Sequence, residues 1–150
     1  MASVATYLNF DGNCLEAFEF YRTVFGGEFI GEPMVMGQVP QSPDSPPLPP
    51  EEAERIMHVA LETVAGHQIM GSDTSPSMGQ VLRPGNNTYI NLMVDTEDEA
   101  RELFDALSAE GSVEMPPTPM FWGDLYSAFT DRFQIQWMVI APLEEEMGHA

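Results

Sequence analysis

The apolar positions of the chain follow a strand-like pattern first and a helical pattern next. Residues 5–10 are rich in aromatic and β-favouring side chains, which predicts a strand. Four apolar residues then recur at helical spacing and predict a helix with one apolar stripe: Cys14, Phe18, Tyr21 and Phe25. A strand pattern followed by a helix pattern returns near residue 88. We therefore expect two successive modules with the same order of elements.

Polar residues and glycines mark the ends of the first predicted helix. Asn13 is a favoured N-cap residue, and Glu16 stands at the third helical position, where it would complete a capping box. Gly26 and Gly27 end the apolar stripe, because glycine accepts the left-handed conformation that closes many helices. These signals predict a helix over residues 13–25.

The second predicted helix has the same kind of ends. Thr96 is its N-cap candidate, Glu99 would complete the capping box, and Gly111 is the expected stop. Four residues form its apolar stripe: Ala100, Leu103, Phe104 and Leu107. These signals predict a helix over residues 96–109.

Short sequence matches support an internal duplication. TYLNF at residues 6–10 returns as TYINL at 88–92, and EAFEFY at 16–21 aligns with EARELF at 99–104. HQIM at 67–70 matches FQIQ at 133–136. Because the matches keep their order at nearly constant spacing, we interpret the chain as two pseudo-repeats, at about residues 4–73 and 86–141.

Strand-like runs follow each predicted helix, so each half is predicted to be a βαβββ module and the fold class α+β. The runs are residues 28–39, 55–64 and 68–72 in the first half, and 112–115, 125–130 and 134–141 in the second. Residues 40–50 contain six of the 13 prolines and predict a mobile flap inside the first half. Residues 143–150 read as a short acidic tail.

Composition favours one domain over residues 1–150. Hydrophobic residues make up 43% of the chain, enough for a packed core. No apolar run approaches the ~20 residues that span a bilayer, and the N-terminus lacks the features of a secretory signal, so we expect a cytoplasmic protein. Cys14 is the single cysteine, which excludes an intrachain disulfide and a cysteine-based zinc site.

The charge balance limits the classes of partner. Five basic residues, all arginines, face 24 acidic residues, which gives a net charge of −19. Such a chain repels phosphate backbones and anionic membranes, so we expect neither nucleic acid nor membrane as a partner. The acidity is typical of a solvated surface, and it also favours a cationic ligand over an anionic one.

Longer segments resemble a known family. FDGNCLEAFEFYRTVFGGEF, RIMHVAL, HQIMGSD and MPPTPMFWGDLYSAFTDRFQIQWMV resemble the PhnB-like branch of the glyoxalase and bleomycin-resistance superfamily, also called the vicinal oxygen chelate fold. The resemblance implies two βαβββ modules with a cavity between curved mixed sheets, and a homodimer. The branch carries the label demethylubiquinone methyltransferase, but no methyl-donor or nucleotide motif is present, so no cofactor is predicted. Gln134 stands where the branch usually has glycine. A tight turn before the last strand is therefore less strongly predicted, because glycine would permit a positive φ there.

Metal-dependent members of that superfamily carry about four ligands, one on each of four strands. By motif register these positions fall on one of residues 5–7 and on Met70, Tyr89 and Met138. Thioethers and a neutral tyrosine are poor ligands for hard divalent ions, so we predict no metal site of this type.

Three functions remain open from the sequence, and one of them is a purely structural or partner-binding dimer. The leading hypothesis is metal-independent binding of a small organic molecule in an apolar cavity; the proposed ligand contacts are Tyr7, Met36, Met70, Tyr89, Phe121, Trp122, Trp137 and Met138. The alternative is an enzyme that acts on a small carbonyl or aromatic metabolite, with His58 as acid/base and Asp73 as its partner. For each of these two residues the residue type favours a structural role over this one, His58 as a partly buried histidine with a local hydrogen-bond partner and Asp73 as a turn-capping carboxylate.

Overall fold

The computed structural model describes residues 2–144, and the chain divides into two compact units with their boundary in the sequence between Arg83 and Pro84. Each unit holds one helix and a four-stranded mixed sheet. The elements of the first unit are β1 (Thr6–Phe10), α1 (Cys14–Phe25), β2 (Met34–Val35), β3 (Ile56–Glu62) and β4 (Gln68–Asp73). Those of the second are β5 (Ile90–Met93), α2 (Glu97–Ser108), β6 (Ser112–Pro119), β7 (Asp124–Thr130) and β8 (Gln136–Pro142).

The two sheets have the same topology. Their strand orders are β1-β4-β3-β2 and β5-β8-β7-β6, with one parallel pair at the start of each, β1 with β4 and β5 with β8. The remaining pairs are antiparallel. The prediction of an α+β fold built of two tandem βαβββ modules is confirmed.

Each helix covers one face of its own sheet. In the first unit Phe10, Phe18 and Tyr21 are almost completely buried, and Phe18 packs against both neighbours edge to face. Gly71 lies beneath Phe18, because a Cβ built at this position would be 2.6 Å from the phenylalanine ring. Alternate residues of β4 therefore face α1, while Met70 and Ser72 point to the other face of the sheet.

The predicted helix bounds agree with the structure, but the cap of α1 is different. Asn13 is the N-cap residue and its side chain makes no capping hydrogen bond. The carboxylate of Asp73, at the end of β4, takes that role by accepting hydrogen bonds from the N–H groups of Gly12 and Cys14. A tertiary contact thus replaces the local capping box that the sequence predicted.

The second helix begins as predicted and ends differently. The Thr96 side chain accepts a hydrogen bond from the N–H of Glu99, as its N-cap role requires. The left-handed residue after the helix is Glu110, with φ 63°, rather than Gly111. Glycine is needed at position 111 because the chain passes close to β7 there, and a Cβ would lie 2.2 Å from the carbonyl oxygen of Thr130.

Two predicted strands have other lengths. Residues 28–39 were expected to be one strand, but only the two residues of β2 and a single bridge between Phe29 and Leu61 pair there. A 3₁₀ turn at Met36–Gln38 follows. Strand β6 extends past its predicted end through three prolines to Pro119, which an edge strand tolerates because one side of it needs no N–H donors.

Within residues 2–144, no helix is long and apolar enough to cross a membrane. The predicted acidic tail lies largely outside the described residues, since its residues 145–150 are not among them. Mobility of the proline-rich segment stays a prediction.

The turn before β8 contains a non-glycine residue in the left-handed region. Gln134 has φ 72°, and its N–H donates to the carbonyl oxygen of Asp131. Replacing Gln134 with glycine should raise the free energy of unfolding of the second unit by about 1 kcal/mol, because glycine adopts positive φ without the steric cost. Urea denaturation followed by far-UV circular dichroism measures the change.

Gln134→Ala is the matched control for this prediction. Alanine keeps the Cβ and loses the rest of the side chain, so it should not stabilise the unit. Equal stabilisation by alanine and glycine would show that the backbone conformation is not the cause.

Candidate binding site

A cavity of about 320 Å³ lies inside the first unit, and we call it the loop cavity. It is formed by the proline-rich loop (residues 40–50), the turn before that loop, strands β3 and β4, and the segment after β4. Its lining residues are Met36, Val39, Pro40, Gln41, Ser45, Pro46, Leu48, Met57, Ser72, Asp73, Ser75, Ser77, Met78 and Gln80.

The lining divides by chemistry into two groups. Three methionines, Val39, Leu48 and two prolines offer apolar surface, which adapts well to small organic molecules because thioethers are flexible and polarizable. Serines, two glutamines and one carboxylate supply polar groups. No arginine or histidine is among the lining residues, and the chain has no lysine. The arrangement is typical of a ligand pocket with few orienting polar groups.

Glu52 ties the proline-rich loop to the segment after β4. Although acidic, it is only 4% exposed. Its carboxylate accepts hydrogen bonds from the hydroxyl of Ser75 at 2.6 Å and from the hydroxyl and N–H of Ser77 at 3.0 and 3.1 Å. The Ser75 hydroxyl bond, then the Ser77 bonds and the nearby Arg55, lower the pKa of Glu52, so the carboxylate is ionised at neutral pH.

Asp73 is a structural carboxylate at the wall of the loop cavity. It is 4% exposed and accepts three backbone hydrogen bonds, from Gly12 at 2.8 Å, Cys14 at 3.0 Å and Ile56 at 2.8 Å. These bonds join the start of α1 and the start of β3 to the end of β4. The residue holds three elements together at one corner of the cavity.

The strand register does not set His58 against Asp73, the residue with which it was predicted to pair. The antiparallel ladder sets Val59 against Gly71, so one step further His58 is level with Ser72 and not with Asp73. Side chains alternate between faces along a strand, which puts Asp73 on the face of Gly71 and His58 on the opposite face. Within the described chain no hydrogen bond joins the two, and a catalytic role for them stays a prediction.

His58 instead lies near the ring of Tyr7, with 6.3 Å between ring centroids. It is half-buried and is paired in the sheet with Met34. Tyr7 is in register with Met70, so both predicted ligand contacts lie on the sheet face away from α1. Of the predicted contacts, Met36 is the one that lines the loop cavity.

Trp137 does not have the surface that a ligand contact needs. It is completely buried in the second unit, and its indole N–H donates to Asp131 at 2.9 Å. The same carboxylate accepts the N–H groups of Phe133 and Ile135. This tryptophan belongs to the core and to the turn before β8, so the structure corrects its assignment as a ligand contact.

Two predicted contacts form an exposed aromatic pair on the turn between β6 and β7. Phe121 is 97% exposed and Trp122 is 54% exposed, and their rings meet edge to face with centroids 5.0 Å apart. Neither lines the loop cavity. Their role in ligand binding stays a prediction.

The remaining two predicted ligand contacts, Tyr89 and Met138, lie in the second unit and are not paired with each other in the sheet. Met138 is level with Asn91, whereas Tyr89 precedes β5. The hydroxyl of Tyr89 donates to Glu114 at 2.5 Å, and this bond to a carboxylate raises the tyrosine's pKa. The predicted third and fourth metal positions are therefore not opposite each other. Residues 2–144 contain no group of three or more His, Cys, Asp or Glu placed to hold a metal ion.

Cys14 has no exposed surface. Burial, and then the nearby Asp73 carboxylate, raise the pKa of its thiol well above the ordinary range. The thiolate is the reactive form of cysteine, so burial keeps this thiol in its less reactive protonated form.

Sequence reasoning missed most of the loop cavity. Leu48 falls within the predicted mobile flap, and Glu52 was not singled out among the 24 acidic residues. The signal that was available is the run of small hydroxyl residues after β4, SDTSPS at residues 72–77. Such residues commonly satisfy polar groups in buried turns.

Comparison with known proteins assigns the chain to a family. YjdN of Escherichia coli K12 is 32% identical over 143 residues, which cover 91% of this chain and 92% of that protein. Protein PA1353 of Pseudomonas aeruginosa is 35% identical, with a TM-score of 0.80 over 95% of this chain and 98% of that one. A PhnB protein of Bacillus cereus, described as a proposed 3-demethylubiquinone-9 3-methyltransferase, shares the fold at 18% identity, with a TM-score of 0.70 over 93% of this chain and 99% of that one.

Residues 4–139 match the glyoxalase/bleomycin resistance protein/dioxygenase superfamily, which is nearly the whole described chain. The match includes both modules, the Phe121–Trp122 turn and the TDRF segment that carried the resemblance in the sequence. The chain therefore belongs to the glyoxalase/bleomycin resistance protein/dioxygenase superfamily.

Proposed function

We propose that this protein binds a small organic molecule in the loop cavity, without a metal ion. The observation that carries the proposal is a cavity of about 320 Å³ with apolar and polar lining residues, within the size range of small-molecule sites. Three methionines and Leu48 supply apolar contact area, and the serines and Asp73 supply orienting hydrogen bonds. Membership of a superfamily whose name includes resistance proteins is consistent with a binding role.

Binding is favoured over catalysis by what surrounds this cavity. No hydrogen bond joins His58 to Asp73 in the described residues, and His58 is not among the lining residues of the cavity. Asp73 accepts hydrogen bonds from three backbone N–H groups, which fixes the position of its carboxylate at the wall of the cavity. The net charge of −19 favours a cationic or neutral ligand over an anion.

We also propose that the protein is a homodimer, as the family resemblance implied. The nearly complete exposure of Phe121 supports this, because large aromatic side chains are enriched at protein interfaces. Light scattering after size exclusion should give twice the chain mass of 16.6 kDa. A mass equal to one chain would contradict the proposal.

Filling the loop cavity should abolish most ligand binding. Ser45 is an exposed lining residue of the proline-rich loop, so Ser45→Trp places an indole over the cavity with little risk to the fold. Affinity for a bound aromatic fragment should fall at least about tenfold, since the indole competes for the same volume. Ligand-observed NMR or calorimetry with 2-phenylethanol and 2-phenylethylamine measures this loss.

Ser42→Trp is the matched control, because Ser42 belongs to the same loop but does not line the cavity. Its affinity should stay within about twofold of the parent protein. If both variants bind the fragments as well as the parent does, the ligand site lies elsewhere and the proposal is wrong.

A further inference from the structure

Three neighbouring polar residues of the loop cavity, Asp73, Ser75 and Ser77, present hydrogen-bond acceptors to it. The hydroxyl of Ser75 donates its one hydrogen to Glu52 Oε1 at 2.6 Å, and the hydroxyl of Ser77 donates to the same oxygen at 3.0 Å. A hydroxyl has one hydrogen to donate and two lone pairs to accept with. Because Glu52 is ionised and takes both hydrogens, Ser75 and Ser77 can offer only lone pairs to a ligand.

Asp73 adds a second acceptor with spare capacity. A carboxylate accepts about four hydrogen bonds, two at each oxygen. In the structure Oδ1 accepts two, from Gly12 and Cys14, and Oδ2 accepts one, from Ile56. One accepting position of this buried carboxylate, which lines the cavity, therefore has no hydrogen-bond donor among the described residues.

The charge at this wall is negative and is not balanced by the lining. Asp73 lines the cavity, and Glu52 lies directly behind Ser75 and Ser77. Arg55 lies nearby, but its guanidinium is bound to Asp11 at 2.9 Å and to the carbonyl of Thr74 at 3.0 Å. No arginine or histidine is among the lining residues. We call Asp73, Ser75 and Ser77 the acceptor wall.

We propose that the ligand of the loop cavity is a protonated amine with an apolar body, its ammonium group donating hydrogen bonds to the acceptor wall. This inference rests on the proposed function and names the chemical class of its ligand. An ammonium group brings three N–H donors and one positive charge, which match an array of acceptors around two carboxylates. The apolar body then lies against Met36, Leu48 and the other apolar lining residues.

The test uses three probes of similar shape and different charge: 2-phenylethylammonium, 2-phenylethanol and phenylacetate. Binding is measured by calorimetry and by NMR shifts of lining residues at neutral pH. The amine should bind at least about tenfold more tightly than the alcohol, because its hydrogen bonds are charge-assisted, and phenylacetate should not bind. The advantage of the amine should shrink as salt rises, since partly exposed charges are screened.

Two serine variants test whether the preference for the amine over the alcohol depends on the acceptor wall. Ser75→Ala and Ser77→Ala should each lower the affinity for the amine severalfold and leave that for the alcohol within about twofold. Leu48→Ala is the control, and it should weaken both probes alike. These serine changes leave the three hydrogen bonds of Asp73 intact but each removes one hydroxyl bond to Glu52, so the unchanged affinity for the alcohol is the check that the cavity keeps its shape.

The outcomes separate the two proposals. If the alcohol or phenylacetate binds at the cavity as tightly as the amine, the ligand class is wrong while the proposed binding function stands. If Ser75→Ala and Ser77→Ala both keep the parent's ratio of amine affinity to alcohol affinity, the acceptor wall does not bind the ammonium group and the ligand class is also wrong. If none of the three probes shifts lining residues at millimolar concentration, the binding function itself fails.

Discussion

Asp73→Ala is expected to destabilise the first unit by about 3–5 kcal/mol, because three buried backbone N–H groups lose their acceptor together. Those donors belong to Gly12, Cys14 and Ile56, at the starts of α1 and β3. Asp73→Asn should lower the free energy of unfolding less than Asp73→Ala does, since the amide retains one oxygen that can accept some of the three hydrogen bonds. Asp44→Ala is the control, because Asp44 is exposed on the proline-rich loop and should change stability by less than about 0.5 kcal/mol.

Hydrogen exchange of the α1 amides measures this effect in the unit concerned, while the second unit serves as an internal reference. The expected result is a large loss of protection in α1 and β3 for the alanine variant, an intermediate loss for asparagine and none for the control. Parent-like protection in Asp73→Ala would show that the carboxylate does not hold these elements together.

Asp131→Ala should have an effect of similar size on the second unit. Its carboxylate accepts the N–H groups of Phe133 and Ile135 at 2.8 and 3.0 Å and the indole N–H of Trp137 at 2.9 Å. The residue is 3% exposed and Trp137 is completely buried, so the lost bonds cannot be replaced by water without opening the core. We expect a loss of about 3–5 kcal/mol.

Tryptophan fluorescence isolates this effect because the chain has two tryptophans. In a Trp122→Phe background Trp137 is the single emitter, and Asp131→Ala should lower the urea midpoint of its red shift. Asp105→Ala is the control, since Asp105 is exposed on α2. An unchanged midpoint in the Asp131 variant would contradict the structural role of this carboxylate.

The architecture was accessible from the sequence because its signals are local. Helical spacing, cap residues and glycine stops located both helices, and the repeated TYLNF and TYINL segments located β1 and β5. The predictions of local structure that were wrong concern features that depend on contacts between residues far apart in the sequence. Residues 28–39 are rich in apolar side chains, but only two of them join the sheet as β2. Asn13 looked like a sufficient cap, and a carboxylate 60 residues away performs that role.

The candidate site was harder to predict from the sequence, because it also depends on contacts between residues far apart in the chain. His58 and Asp73 looked like partners because both lie on strands that are adjacent in the sheet. A pairing offset of one residue moves a side chain to the opposite face, and the sequence does not specify that offset. The loop cavity depends on contacts between a proline-rich loop and the segment after β4, which neither periodicity nor motif spacing encodes.

The central claim is that the loop cavity is the ligand site, and methionine-methyl NMR tests it most directly. Three of the 11 methionines line the cavity, Met36, Met57 and Met78, whereas Met70 and Met138 do not. Single Met→Leu changes assign the methyl signals, and 2-phenylethylamine is then titrated into the labelled protein. The account predicts shifts at Met36, Met57 and Met78, with Met70 and Met138 unchanged. Shifts at Met70 or Met138 while the three cavity methionines stay unchanged would contradict it.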